Sequence, residues 1–154
     1  MFRVSRRLDY GLQLMTSLAS DPENRSQPTA ALASKLEMPL PFLHQIAHVL
    51  MQSGLIKATP GQKGGLRLSQ QPQDISVLRI IEALEGPIIL SPCQDCEENC
   101  PRRQNCATLI IWNDLQDRIS AHLENIHLDM LVDKKQQIPS FPLSSEYPVN
   151  LSSQ

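Results

Sequence analysis

The chain of 154 residues has few aromatic residues and no long apolar run. Aromatic side chains make up 4% of it, so a core must be built mainly from Leu, Ile, Val, Ala and Met. No segment approaches the roughly 20 apolar residues of a membrane-spanning helix. The amphipathic N-terminus has neither the apolar stretch nor the cleavage site of a secretory signal peptide. These absences argue against a membrane protein and predict a cytoplasmic protein with one modest core.

Cysteine is absent except within one segment of fourteen residues, which holds Cys93, Cys96, Cys100 and Cys106. Disulfides require an oxidising compartment, and no export signal is present. Structural zinc sites usually pair two cysteine knuckles across a wider separation. Iron–sulfur clusters take thiolates from a short loop, and a proline after one ligand, here Pro101, is common there. The spacing therefore favours an iron–sulfur cluster over zinc or a redox disulfide, and leaves all three open.

Charge is divided unevenly along the chain, although the net charge is only −2. Residues 1–67 hold eight Lys and Arg against four Asp and Glu, whereas residues 91–154 hold five against nine. A basic N-terminal part suits contact with nucleic acid, and the acidic C-terminal part suits another role. Chance scatter of surface charge stays open as the alternative until a fold is established.

Apolar spacing predicts three helices in the first third of the chain. The first runs from Arg6 to Ser20, with Ser5 as its N-cap. Thr29 is predicted to cap a second helix that ends near Leu36. Pro41 fits the first position of the third helix, since a helix start has no use for that N–H, and Gly54 ends it.

Two short extended segments follow, Leu55–Ala58 and Leu66–Leu68. The residues between them are rich in Gly and Pro, which predicts a hairpin. A helix–turn–helix followed by a Gly-rich hairpin is the order of a winged helix. The sequence therefore predicts a mainly α fold, a winged helix–turn–helix with a small β-hairpin wing.

Two further helices are predicted, from Ile75 to Glu85 and from Ala107 to about Asn125. The second carries an apolar stripe: Leu109, Trp112, Leu115, Ile119, Leu123 and Ile126. The stripe packs either on its own domain or on a second copy, and a homodimer is favoured because palindromic operators require two-fold symmetric proteins. Residues 1–135 are thus predicted to form one DNA-binding and dimerisation domain. The Pro- and Ser-containing residues 136–154 are predicted to be a disordered tail.

The third helix is predicted to enter the major groove of a double-stranded DNA operator. There Gln45 suits adenine and His44 reaches a base edge. His44 and His48 stand four residues apart, which also suits a metal ion, but contact with the groove is the favoured interpretation. Cations of the wing and of the first helix would meet phosphate or the minor groove. The predicted DNA-binding residues are Arg6, Arg7, Pro41, Phe42, His44, Gln45, His48, Lys63 and Arg67.

Over roughly residues 1–132 the chain resembles the iron–sulfur winged-helix repressors of the IscR, NsrR and RirA family. The matching segments are Asp9-Tyr10, Leu43-His44-Gln45-Ile46, Gly54-Leu55-Ile56, Gly61, Gly64-Gly65, Cys100-x5-Cys106 and Trp112–Arg118. The resemblance implies a transcriptional regulator that senses iron, iron–sulfur or redox status. It also implies that the loop 91–106 holds an iron–sulfur cluster, with 2Fe–2S favoured over 4Fe–4S.

The resemblance further implies that Cys93, Cys100 and Cys106 are ligands. Two departures from the family pattern concern the fourth ligand. Leu109 stands where IscR-like members have a ligand histidine, and Cys96 has no counterpart. The simplest interpretation is that Cys96 replaces the histidine. Asp9 is the rival, because it matches the place where NsrR-like members recruit a carboxylate, although an acidic residue near a helix start also offsets the macrodipole.

Other functions fit the sequence less well. The same architecture would serve a zinc-stabilised or thiol-redox regulator without a cluster. An electron-transfer protein would leave the helix–turn–helix and wing unexplained. A thiol oxidoreductase would rest on Cys93-x2-Cys96 but lacks the usual β-α-β unit, so no enzyme is predicted. Pro60 stands where IscR-like members have a wing arginine, which puts the minor-groove contact in doubt.

Overall fold

The computed structural model describes residues 4–61, 64–91 and 106–132. Their elements, in chain order, are α1 (Arg6–Ala19), α2 (Thr29–Lys35), α3 (Leu40–Gln52), β1 (Ile56–Thr59), β2 (Gly65–Leu68), a 3-10 turn (Pro72–Asp74), α4 (Val77–Glu85), α5 (Ala107–Glu124) and α6 (Leu128–Val132). Cys93, Cys96, Cys100, Lys63 and the tail 136–154 lie outside the described residues.

Helix α1 confirms the first predicted helix and lies against most of the core. The Ser5 hydroxyl accepts a hydrogen bond from the Leu8 backbone N–H at 3.0 Å, which caps the helix start as predicted. Leu14 and Met15 are completely buried. Gly11 faces Leu84 of α4 so closely that a β-carbon there would overlap the leucine side chain. The absence of a side chain thus lets α1 and α4 pack at short range.

Helices α2 and α3 form the predicted helix–turn–helix, with small shifts at their starts. The N-cap of α2 is Pro28, without a side-chain hydrogen bond, so the prediction of Thr29 as the cap is wrong. Helix α3 begins at Leu40, one residue before Pro41, because Pro39 already has the extended backbone of an N-cap. A proline remains compatible with this first turn, where its missing N–H costs nothing.

Gly54 ends α3 as predicted. Its φ of 70° is a left-handed conformation that glycine adopts without steric cost. The Leu55 N–H donates to the Leu50 carbonyl and the Gly54 N–H to the Met51 carbonyl, each at 3.0 Å. This pair of bonds is a Schellman motif, which satisfies carbonyls at the helix end. The chain is thereby turned directly into β1.

Strands β1 and β2 pair antiparallel and confirm the predicted hairpin, with boundaries shifted by one residue. The Gln27 N–H donates to the Leu66 carbonyl at 2.8 Å, and the Leu66 N–H donates back to the Gln27 carbonyl at 2.9 Å. The loop between α1 and α2 therefore pairs with the edge of β2. A β-carbon at Gly65 would overlap the Gln27 backbone, so this pairing requires glycine.

Helix α4 begins at Val77, two residues after the predicted start, because the chain first makes a 3-10 turn. The Ser76 hydroxyl accepts from the Arg79 N–H at 3.2 Å and donates to the Glu124 carboxylate at 2.7 Å. This bond ties the start of α4 to the end of α5. Ile126 was predicted on the α5 stripe, but it follows the helix and is buried, with its carbonyl accepting from Val77 at 2.8 Å.

Helix α5 is the longest described helix and has no buried residue. It packs against α4, and two of its large apolar side chains, Ile110 and Ile111, are 70% and 60% exposed. The mainly α winged-helix fold is confirmed, whereas the dimerisation role of α5 remains a prediction. Among the described residues, no helix combines the length and apolarity needed to cross a membrane.

Candidate nucleic-acid interface and cysteine site

Helix α3 separates a buried face from an exposed polar face. Leu43, Ile46 and Leu50 are completely buried. The predicted contact residues Pro41, His44, Gln45 and His48 are all exposed and recur at three- and four-residue steps. Side chains at these steps lie on one side of a helix. The structure therefore brings them together on one surface that a DNA groove can reach.

Phe42 differs from its neighbours on α3 because it is half-buried. Its ring meets that of Tyr10 on α1 edge-to-face, with centroids 5.7 Å apart and an interplanar angle of 80°. Such pairs are favourable beyond the apolar area that they bury. This contact fixes the N-terminal end of α3 against α1. Whether Phe42 also contacts DNA remains a prediction.

A cleft of about 460 Å³ lies between the start of α3 and the wing. His44 lines it from α3, Thr29 from α2, and Thr59 and Gly65 from the hairpin. Apart from His44, none of the described residues that line this cleft is charged or titratable. The cleft thus joins the two surfaces predicted to contact DNA.

The wing carries a pair of cations, Lys57 and Arg67, of which only Arg67 is among the predicted DNA-binding residues. In the hairpin register Lys57 stands directly opposite Arg67, and both are exposed. Neither forms an ion pair or a side-chain hydrogen bond within the described part of the chain. Like charges in directly opposed positions destabilise a sheet, so an anion such as phosphate would stabilise this pair. Pairing the two predicted strands would have revealed Lys57.

The other basic side chains of residues 4–91 differ in whether they already have partners within the fold. The predicted residues Arg6 and Arg7 are exposed in the first turn of α1. The Arg25 guanidinium hydrogen-bonds to the Asp21 carboxylate and lowers the pKa of that carboxyl. Arg79 donates to the Gln70 amide oxygen at 2.7 Å. Arg25 and Arg79 are thus already engaged within the fold.

Cys106 is the one predicted cysteine ligand within the described residues. It is half-exposed and forms the N-cap of α5 without a side-chain capping bond. Its Sγ atom lies 3.1 Å from the Thr108 Oγ1 atom. The N-terminal end of a helix stabilises negative charge, such as that of a thiolate. This position therefore suits a thiolate ligand.

Asp9, the rival fourth ligand, lies in the first turn of α1, where a negative charge suits the helix dipole. Its Oδ2 atom accepts a hydrogen bond from the Gln13 Nε2 atom at 2.9 Å, and the side chain is exposed. It lines a shallow groove of about 420 Å³ with Leu12, Leu36 and other residues of α1, α2 and α6. Among the described residues, no three His, Cys, Asp or Glu side chains come together as a metal site.

Comparison with known proteins identifies the family. Residues 4–134 match the model of Rrf2, described as an iron-dependent transcriptional regulator. The chain belongs to the Rrf2 family. A curated relative, the HTH-type transcriptional regulator IscR of Pectobacterium atrosepticum, is 30% identical over 134 residues, which cover 87% of this chain and 81% of the relative.

Solved structures of Rrf2 regulators have the same fold. IscR of T. potens has a TM-score of 0.68 and 30% identity, covering 86% of this chain and 88% of that chain. CymR, the global cysteine regulator of B. subtilis, has a TM-score of 0.69 and 26% identity, covering 86% and 97%. The protein is accordingly a transcriptional regulator with a DNA-binding winged helix, and not an enzyme.

Proposed function

We propose that this Rrf2 protein is a cytoplasmic, homodimeric regulator that binds a double-stranded DNA operator and senses iron, iron–sulfur or redox status through a cysteine-ligated iron–sulfur cluster. The observation that carries the cluster is the position of Cys106, a half-exposed thiol at the N-terminal end of α5. Relatives named IscR and the iron-dependent family description support the same function.

The donor set fits an iron–sulfur cluster rather than a hard cation. Four thiols fall within fourteen residues: Cys93, Cys96, Cys100 and Cys106. Thiolates are the donors that such clusters prefer. We assign all four as ligands, with Asp9 as the alternative to Cys96, and favour a 2Fe–2S over a 4Fe–4S cluster. Bound at these residues, the cluster would supply a group that responds to iron supply, oxidation or nitrosylation.

Helix α4 connects the cysteine-containing segment with the helix that is predicted to contact DNA. Residues 91–106 connect the segment after α4 to the start of α5, and α4 packs against both α3 and α5. A change of ligation at the cysteines would therefore act on both helices that border this segment. In a dimer it would alter the spacing or stiffness of the two copies of α3 and shift the population that fits the operator.

A thiol-redox regulator without a cluster is the second candidate. The chain is 27% identical to a solved Staphylococcus aureus CymR in its oxidized form, with a TM-score of 0.65. Similarity to that structure makes cysteine oxidation an alternative signal. The two candidates differ in whether anaerobically purified protein contains iron and sulfide.

The fourth ligand is expected to be Cys96 rather than Asp9. Cys96→Ala should make the cluster labile, because an oxygen donor or water would take the open site. Asp9→Ala should leave the cluster intact and remove only the hydrogen bond with Gln13. The measurement is the rate of cluster loss under air, followed by visible absorption. A labile cluster in Asp9→Ala alone would assign the ligand to α1.

We expect α3 to recognise the bases and the wing to contribute mainly positive charge that binds phosphate. Gln45→Ala should cost about 1–3 kcal/mol at one base position and relax selectivity there. Arg67→Ala should weaken all sequences alike and reduce the slope of log affinity against log salt by about 0.9 for each phosphate that is no longer neutralised. The predicted wing-tip residue, Lys63, is expected to behave like Arg67.

These variants test the DNA-binding part of the proposal. Binding sites are first enriched from a random duplex library with the wild-type protein, and affinities are then measured at several salt concentrations. Gln52→Ala is the matched control, since Gln52 is exposed at the opposite end of α3. If Gln45→Ala weakens every sequence equally while Arg67→Ala erases selectivity, the two roles are reversed.

A further inference from the structure

Helix α3 contains no lysine, arginine, aspartate or glutamate. Its titratable side chains are His44 and His48, and both are exposed on the predicted DNA-binding face. Histidine is the side chain whose charge ordinarily changes between pH 5 and 8. The charge that α3 brings to DNA is therefore set by these two imidazoles.

His44 lies on the α3 side of the cleft between that helix and the wing. The described residues that line its cleft add no titratable group. The elements packed against α3 carry Lys35 on α2, Lys57 on β1, Arg6, Arg7, Asp9 and Tyr10 on α1, and Arg79, Glu82 and Glu85 on α4. None of these lines the cleft, and Tyr10 contacts Phe42. No described carboxylate borders His44 there, so the described lining supplies no anionic partner for a protonated His44.

From this placement we infer that His44 is a proton-linked specificity residue, so that DNA binding takes up protons and the protonated form selects guanine. The inference rests on the proposed binding of DNA by α3. A neutral imidazole offers one donor and one acceptor, whereas imidazolium offers two donors and no acceptor. Guanine presents two acceptors, N7 and O6, in the major groove, whereas cytosine presents an amino donor.

Two consequences follow from this chemistry. At low pH, His44 gains an N–H that suits guanine and loses the acceptor that an amino group of adenine or cytosine would need. The additional positive charge also favours binding to the phosphate backbone. His48, one helical turn further along, would add charge in the same way. Repulsion between two exposed imidazolium groups at this spacing is weak.

The test uses the full-length protein and a random duplex library selected at pH 6.0 and at pH 8.0. Wild-type protein is expected to enrich guanine at one position of each half-site at pH 6.0 and to lose that preference at pH 8.0. Its affinity for the selected duplex should be at least about tenfold higher at pH 6.0. His44→Gln, which keeps a neutral polar side chain at an exposed site, should lose the pH-dependent preference and most of the affinity change.

His122→Gln on α5 is the matched control, and it should behave like the wild-type protein at both pH values. His44→Gln and the control share the same cysteines, so any effect of acid on those residues appears equally in both. A pH-dependent guanine preference that persists in His44→Gln, or a wild-type preference that is the same at both pH values, overturns the inference alone. Failure to bind any duplex at either pH overturns the proposed DNA-binding function together with it.

Discussion

Cys106→Ala is expected to abolish the proposed iron–sulfur cluster, because it removes the thiol that we assign as a ligand at the N-terminal end of α5. The side chain makes no capping hydrogen bond, so its removal should leave α5 folded. Iron and acid-labile sulfide should fall to background, and visible absorption should disappear. The circular dichroism spectrum should keep its helical form. Cys93→Ala and Cys100→Ala should give the same result.

Thr108→Val is the matched control for this prediction. It keeps the thiolate but removes the hydroxyl that lies 3.1 Å from the sulfur atom. Substitution of such a supporting group typically weakens metal affinity about 10–100-fold without removing the site. The cluster should therefore form in Thr108→Val and dissociate more readily. Full iron and sulfide content in Cys106→Ala would show that Cys106 is not a ligand.

Ile110→Glu is expected to dissociate the proposed homodimer. The isoleucine is 70% exposed in the single chain, so a second copy packed on α5 would bury it. Burial of an isoleucine contributes about 1.5–3 kcal/mol, and a two-fold interface contains each residue twice. The dissociation constant of the dimer should rise at least about a hundredfold, since each 1.4 kcal/mol is a factor of about ten. Sedimentation equilibrium measures this change directly.

Val4→Glu is the control for Ile110→Glu, because Val4 is also 70% exposed but lies outside α5. It should leave the dimer intact. Equal weakening by both substitutions would indicate a general effect of added negative charge rather than an interface on α5. A protein that is monomeric before substitution would contradict the dimer itself.

The winged helix could be predicted from the sequence because residues that start and end helices and turns are easily recognised in it. Ser5, Gly54 and the glycines around the hairpin act locally, so their effects can be recognised without tertiary contacts. The exposed face of α3 could also be predicted, since its exposed positions recur at helical spacing in the sequence. These are the features on which the DNA-binding prediction rests.

The remaining features depend on contacts distant in sequence. Pairing of Gln27 with β2 needs residues 39 positions apart, and the bond from Ser76 to Glu124 joins two helices. The half-burial of Phe42 against Tyr10 also follows from tertiary packing. Lys57 was missed because its importance appears only when it is paired with Arg67. The differences in element boundaries have a more local cause. Pro28 and Pro39 are the N-caps of α2 and α3, and Pro72 begins the 3-10 turn that precedes α4.

The central claim is that the clustered cysteines hold an iron–sulfur cluster. Its most direct test is the visible spectrum of anaerobically purified protein, together with its iron, acid-labile sulfide and zinc content. The proposed function predicts a brown protein with sulfide-to-iron charge-transfer absorption and matching amounts of iron and sulfide. A colourless protein with stoichiometric zinc, or one without metal and with oxidised cysteines, would contradict it.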